Sequence, residues 1–120
     1  MVQITSRSIK NSFRYALRGL LHTFRTQQSF RLQVVATGLV VLLMVMLQVT
    51  TRDAIILITM LAAVLTLELI NTVVEHITDL LSAKLTAVAK FAKDAMAAAV
   101  LFASLVAIVI GCLVFWPYVR

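Results

Sequence analysis

The stretch "LELINTVVEHITDLL", residues 67–81, closes a long apolar run and still carries three carboxylates and an asparagine. At about 100° per residue, Glu68, Asn71, Glu75 and Asp79 fall within an arc of roughly 80°, so a helix here presents one polar face. A carboxylate at the centre of a bilayer costs about 2.5–3.5 kcal/mol even on a lenient insertion scale. Three on one face therefore point to a task. Asn71 has a structural alternative as an interhelical hydrogen-bonding group, and Asp79 has one as a cap or surface residue.

The rest of the chain sets this face in a membrane. Of its 120 residues 62% are hydrophobic and only 13% are charged, which disfavours a soluble helical bundle. Residues 32–51 lie between Arg31 and Arg52 without a charge; residues 54–67 are uncharged and run into the acidic stretch; residues 95–119 are uncharged. A hydrocarbon core of about 30 Å needs roughly 20 helical residues, so each stretch can span. The expected architecture is an all-α membrane protein with transmembrane helices at about 32–51, 54–81 and 95–118. The chain reads as a single domain, 1–120, without repeats or a Pro/Gly-rich linker, and no cleaved signal peptide is expected. Cys112 stands alone in the third span, which excludes an intrachain disulfide and a thiolate metal site. It reads as a packing residue.

Charge orients the spans. Arg7, Lys10, Arg14, Arg18, Arg25 and Arg31 precede the first connection with no acid among them. That connection holds Arg52 and Asp53, and the second holds Lys84, Lys90 and Lys93. The positive-inside rule puts the N-terminus and second connection in the cytoplasm, and the C-terminus outside. Residues 6–25 form an element of another kind. Ile9, Phe13, Ala16, Leu17, Leu20 and Phe24 share one helical face, and Arg7, Arg14, Arg18 and Arg25 another. This suits an amphipathic helix lying in the headgroup region, or a basic flank that only sets topology. The net charge of +6 is not a nucleic-acid footprint, because phospholipid is the nearer polyanion.

The chemistry follows from depth. The second span runs inward, so its acids lie in the cytoplasmic half. The third begins with "KFAKDAMAAAV", which brings Lys90, Lys93 and Asp94 to the same level. Acids that hold a divalent metal on nucleotide phosphates, an amine that neutralises phosphate, and an acid that takes the acceptor's proton are the parts of a phosphoryl-transfer site. The glycines are Gly19, Gly38 and Gly111, too dispersed for a phosphate loop, which excludes a soluble kinase architecture. Ala95, Ala97, Ala98 and Ala99 would let helices approach closely around the site. A proton- or cation-coupled transport subunit also places acids on one helix face and stays open as an alternative.

"LELINTVVEHITDLL" and "AKFAKDAMAAAVL" together resemble the prokaryotic diacylglycerol kinase family, small three-span lipid kinases of bacterial inner membranes that act as homotrimers. The family pattern falls on Glu68, Asn71, Thr72, Glu75, Asp79, Ala92, Lys93, Asp94, Ala99 and Val100, and the likeness extends back through "SFRYALRGL". The resemblance implies ATP as co-substrate, Mg²⁺ as cofactor and a membrane lipid as acceptor. It implies Glu68 as catalytic base and Glu75 as a metal ligand. Asn71, Asp79, Lys93 and Asp94 would order the nucleotide, and Tyr15, Arg18 and Gly19 of the surface helix would close over it, with the site between subunits. Where the family has a second metal-ligating glutamate, this chain has Gln27. Ser8 replaces a family arginine, Thr86 a histidine and Val73 an alanine. "EHITDLL", with His76, is similar to the branch acting on undecaprenol more than to the diacylglycerol branch.

Overall fold

The structure, a computed structural model, describes residues 4–81 and 86–120, and among these every regular element is a helix. The helices are α1 (Ser6–Thr26), α2 (Gln28–Met46), α3 (Thr51–Asp79) and α4 (Thr86–Val119). The last three are long and apolar enough to cross a membrane. Lys84 lies outside the described residues.

Boundaries differ from the charge-delimited reading in instructive ways. Thr5 caps α1 by accepting from the Ser8 amide at 3.2 Å. The helix stops at Thr26, and the next begins two residues on. Only Gln27 separates them, with extended backbone (φ −111°, ψ 110°). Near the break, Thr23 and Thr26 hydroxyls donate to the Gly19 and His22 carbonyls, each at 2.8 Å, a back-bonding that bends helices. Arg31 then donates to the freed carbonyls of Phe24 and Arg25, at 3.2 and 2.9 Å. A cation on orphan carbonyls also opposes the negative end of the helix dipole. Arg31, expected as the flank of a span, is thus inside α2 and serves the end of α1.

At its other end α2 stops at Met46, short of residue 51, because the chain turns back through a left-handed residue, Gln48 (φ 50°). The Gln48 and Val49 amides reach the Val45 and Met44 carbonyls, at 3.3 and 3.2 Å, a double closure of the helix end. A side chain in this conformation costs roughly 1–2 kcal/mol, which the two closing bonds offset. At the second connection Lys90, Lys93 and Asp94 belong to the first turns of α4 instead of a loop. The Ala- and Lys-rich composition there favours helix.

The central helix is α3. Its buried residues Leu57, Val64, Glu68, Thr72 and Thr78 are spaced seven, four, four and six apart, so one stripe faces the neighbouring helices. This stripe includes Glu68. Helix α4 runs antiparallel to α3, since Lys93 meets Asp79 at one end and Tyr118 meets Asp53 at the other. Among the described residues α4 buries none, because it packs chiefly on α3 from the edge. Cys112, expected as a packing residue, is accordingly exposed.

The Tyr118 end is a closed polar ring. Thr50 caps α3 by accepting from the Asp53 amide at 3.2 Å. The Thr50 amide donates to the Tyr118 hydroxyl at 3.1 Å, and that hydroxyl donates to Asp53 Oδ2 at 2.5 Å. Tyr118 therefore does what the acidic partner of a capping box usually does. Removing a hydrogen bond to a charged group costs about 1.5–3 kcal/mol. Tyr118→Phe is expected to destabilise the folded protein by about that amount. Denaturant-induced unfolding in detergent measures it; unchanged stability would mean the ring contributes nothing net.

Candidate active site

The polar residues of α3 descend from buried to exposed along a single face. Glu68 is 2% exposed. Its Oε1 accepts from the hydroxyl of Ser29, on the first turn of α2, at 2.5 Å, and its backbone carbonyl accepts from Thr72 at 3.1 Å. One turn on, Asn71 Nδ2 donates to Glu75 Oε1 at 3.3 Å, and both residues are half-buried. At the end of α3, Asp79 Oδ1 is 2.5 Å from Lys93 Nζ in a largely exposed ion pair. An exposed pair of this kind is worth little as a fastening. Its value is position: it holds an ammonium group beside the column of acids.

Beside this column lies a second contact that sequence spacing did not reveal. His22 of α1 meets His76 of α3 edge-on, with ring centroids 6.5 Å apart. His76 Nδ1 donates to the Thr72 carbonyl at 2.8 Å. This contact brings α1 alongside the acidic half of α3.

The structure brings together Asn71 with Glu75 and Asp79 with Lys93. It does not bring onto them the residues of α1 that are expected to close over a nucleotide. Tyr15, Arg18 and Gly19 are exposed, and no described hydrogen bond or ion pair joins them to α3. A Cβ at Gly19 would meet nothing within 4 Å, so the space above it is open within one chain. Asp94 is also exposed. Gln27, at the joint of α1 and α2, makes no side-chain cap. Among the described residues no three His, Cys, Asp or Glu side chains converge as a metal cage. Ser29 and His22 are the two residues that reading by periodicity missed. Both pair across helices, 39 and 54 positions from their partners, where no local spacing can signal contact.

Below Glu68 a groove of about 500 Å³ runs between α2, α3 and α4. Gln33, Thr37, Val64, Ser104, Cys112 and Phe115 are among its lining residues. Gln33 donates to Ser104 across it at 3.4 Å. Gln33 lies one turn beyond Ser29, and Val64 one turn before Glu68, so the groove opens beside the Ser29–Glu68 pair.

The model of the family described as prokaryotic diacylglycerol kinase matches residues 14–115, nearly the whole chain. The chain belongs to the prokaryotic diacylglycerol kinase family. Its similarity to individual members of this family is modest but extends over most of its length. It is 34% identical to the undecaprenol kinase of Bacillus subtilis over 106 residues, covering 88% of this chain and 86% of that one. It is 35% identical to a diacylglycerol kinase of Synechocystis over 108 residues, covering 88% of this chain and 62% of that longer protein. Against the diacylglycerol kinase of Escherichia coli K12 it is 29% identical over 104 residues, covering 87% and 85%. The prokaryotic diacylglycerol kinase family consists of lipid kinases, transferases with an alcohol group as acceptor. Its membership and the three apolar helices make this chain a bacterial membrane protein.

Proposed function

We propose that this protein transfers the γ-phosphate of ATP to the hydroxyl of a membrane lipid, with undecaprenol preferred to diacylglycerol. The observation that carries the reading is the column of acids on α3, ending in the Asp79–Lys93 pair, in a chain that matches a lipid-kinase family over residues 14–115. Glu68 is the general base, Glu75 the metal ligand, and Asn71 holds the Glu75 carboxylate in place. Lys93 neutralises phosphate charge, with Asp79 and Asp94 shaping the site. Tyr15, Arg18 and Gly19 close over the nucleotide, and the open space at Gly19 supports close approach of a ligand there.

Glu75 with the amide oxygen of Gln27 is a donor set of hard oxygens that fits Mg²⁺, a cation that commonly takes one or two carboxylates plus phosphate oxygens. Bound there, the cation would neutralise charge on the phosphates. Gln27 supplies a neutral oxygen where a carboxylate would bind more strongly. The undecaprenol preference draws on the name of the Bacillus subtilis relative and on His76 in "EHITDLL". The groove beneath Glu68 is an apolar path for the acceptor's chain. The absence of described contacts between α1's nucleotide residues and α3 supports a site completed by a second copy, in a homotrimer. The N-terminus and site face the cytoplasm and the C-terminus the outside, following the basic N-terminal segment.

The test offers the purified protein labelled ATP, Mg²⁺ and each lipid in turn, beside Gln27→Glu. Transfer to a prenol is expected to be weak in the parent and about tenfold or more faster in the variant. Absence of phosphorylated lipid in both, with prenol and with diacylglycerol, would falsify the kinase reading. A proton flux through liposomes under the same conditions would point to transport instead.

A further inference from the structure

We infer that Ser29 is a proton relay between the lipid hydroxyl and Glu68. This rests on the assignment of Glu68 as the base. The observation is a mismatch of accessibility. Glu68 is 2% exposed, whereas Ser29, 2.5 Å from its Oε1, is exposed. A general base acts on a proton it can reach directly or through one intervening hydroxyl. The carboxylate is buried, and the Ser29 hydroxyl, on the first turn of α2, is its described side-chain partner. The acceptor's chain, lying in the groove lined by Gln33 and Val64, brings its hydroxyl to Ser29 before it can meet Glu68.

The step balances without any further reactant. The lipid hydroxyl donates to Ser29 Oγ while Ser29 donates to Glu68 Oε1. As the lipid oxygen bonds to the γ-phosphorus, the bond from that phosphorus to the β,γ-bridging oxygen breaks, and ADP leaves with its electron pair. The lipid's proton passes to Ser29 Oγ, and the serine's own proton passes to Glu68. Ser29 ends unchanged and Glu68 ends neutral, and the proton returns to water by the same route. Ser29 also fixes one carboxylate oxygen, so its hydroxyl both aims the base and extends it.

Ser29→Ala, Ser29→Thr and Glu68→Gln are compared with the parent, each also in the Gln27→Glu background. Turnover is measured at saturating ATP and lipid, and nucleotide affinity separately by calorimetry. Ser29→Ala is expected to lower turnover about tenfold to a hundredfold while nucleotide affinity stays within about twofold. Ser29→Thr, which keeps the hydroxyl, recovers most of the rate. In mixtures of light and heavy water the parent's rate follows a curved, two-proton dependence that becomes linear in Ser29→Ala. Turnover in Ser29→Ala within about twofold of the parent, or equal loss in Ser29→Ala and Ser29→Thr, overturns the relay alone. Retained turnover in Glu68→Gln overturns the base assignment beneath it. Failure of transfer in both backgrounds overturns the kinase reading and the relay together.

Discussion

Glu68→Gln is expected to lower turnover by about 10²- to 10⁴-fold while leaving Mg-ATP binding intact. The amide has the shape of the carboxylate and can still accept from Ser29, so the packing of α2 on α3 survives. It cannot take a proton from the acceptor. Because Glu68 is buried on the same stripe as Leu57 and Val64, a larger or shorter side chain would disturb that packing and confuse the result. The isosteric change isolates the chemical step. Steady-state kinetics at saturating lipid, with calorimetric ATP titrations alongside, check it. A fall in nucleotide affinity as large as the fall in turnover would show that Glu68 holds the nucleotide's metal instead of the lipid's proton.

Glu75→Gln is expected to do the converse. Outer-shell partners alone are worth about 10–100-fold in metal affinity, so loss of a direct carboxylate lowers Mg²⁺-dependent nucleotide affinity by about 100-fold or more. The loss is expected to be large because, in the proposed site, Gln27 is already neutral and no carboxylate would remain on the metal. The fold is spared, since Asn71 can still donate to an amide oxygen at residue 75. Titrating Mg²⁺ and ATP separately in the parent and in Glu75→Gln measures the loss, and a smaller one is expected beside Gln27→Glu, where one carboxylate remains. Unchanged affinity in Glu75→Gln would remove this residue from the metal, and equal behaviour of the two glutamate variants would merge their roles.

Helix type and the order of polar groups on α3 were legible because both are local. The spacing of Glu68, Asn71, Glu75 and Asp79 is a property of one helix, and their shared face is found as expected. Charge alone, however, mislocated the ends of helices. Arg31 reads as a boundary in sequence but lies within α2, because its role is to bond the carbonyls of the preceding helix. Residues 47–50 read as apolar span but form a turn, since backbone closure at Gln48 leaves no mark in hydropathy. The graded burial along the polar face was also illegible. Periodicity placed four groups side by side, but only packing against the start of α2 shows that Glu68 is covered while Asp79 is open. Ser29 and His22 gain significance only from partners on other helices.

The joint at Gln27 has a mechanical meaning. One residue is both the final cap of α1 and the opening cap of α2, its amide bonded to the Thr23 carbonyl and its carbonyl to the Arg31 amide. The bend between two rods is thus confined to a single pair of dihedral angles. A helix of 21 residues is about 30 Å long, so a turn of about 10° at this pivot sweeps the far end of α1 through about 5 Å. An arm mounted in this way has its angle set at position 27 by two backbone bonds and by the Arg31 guanidinium on the carbonyls of Phe24 and Arg25.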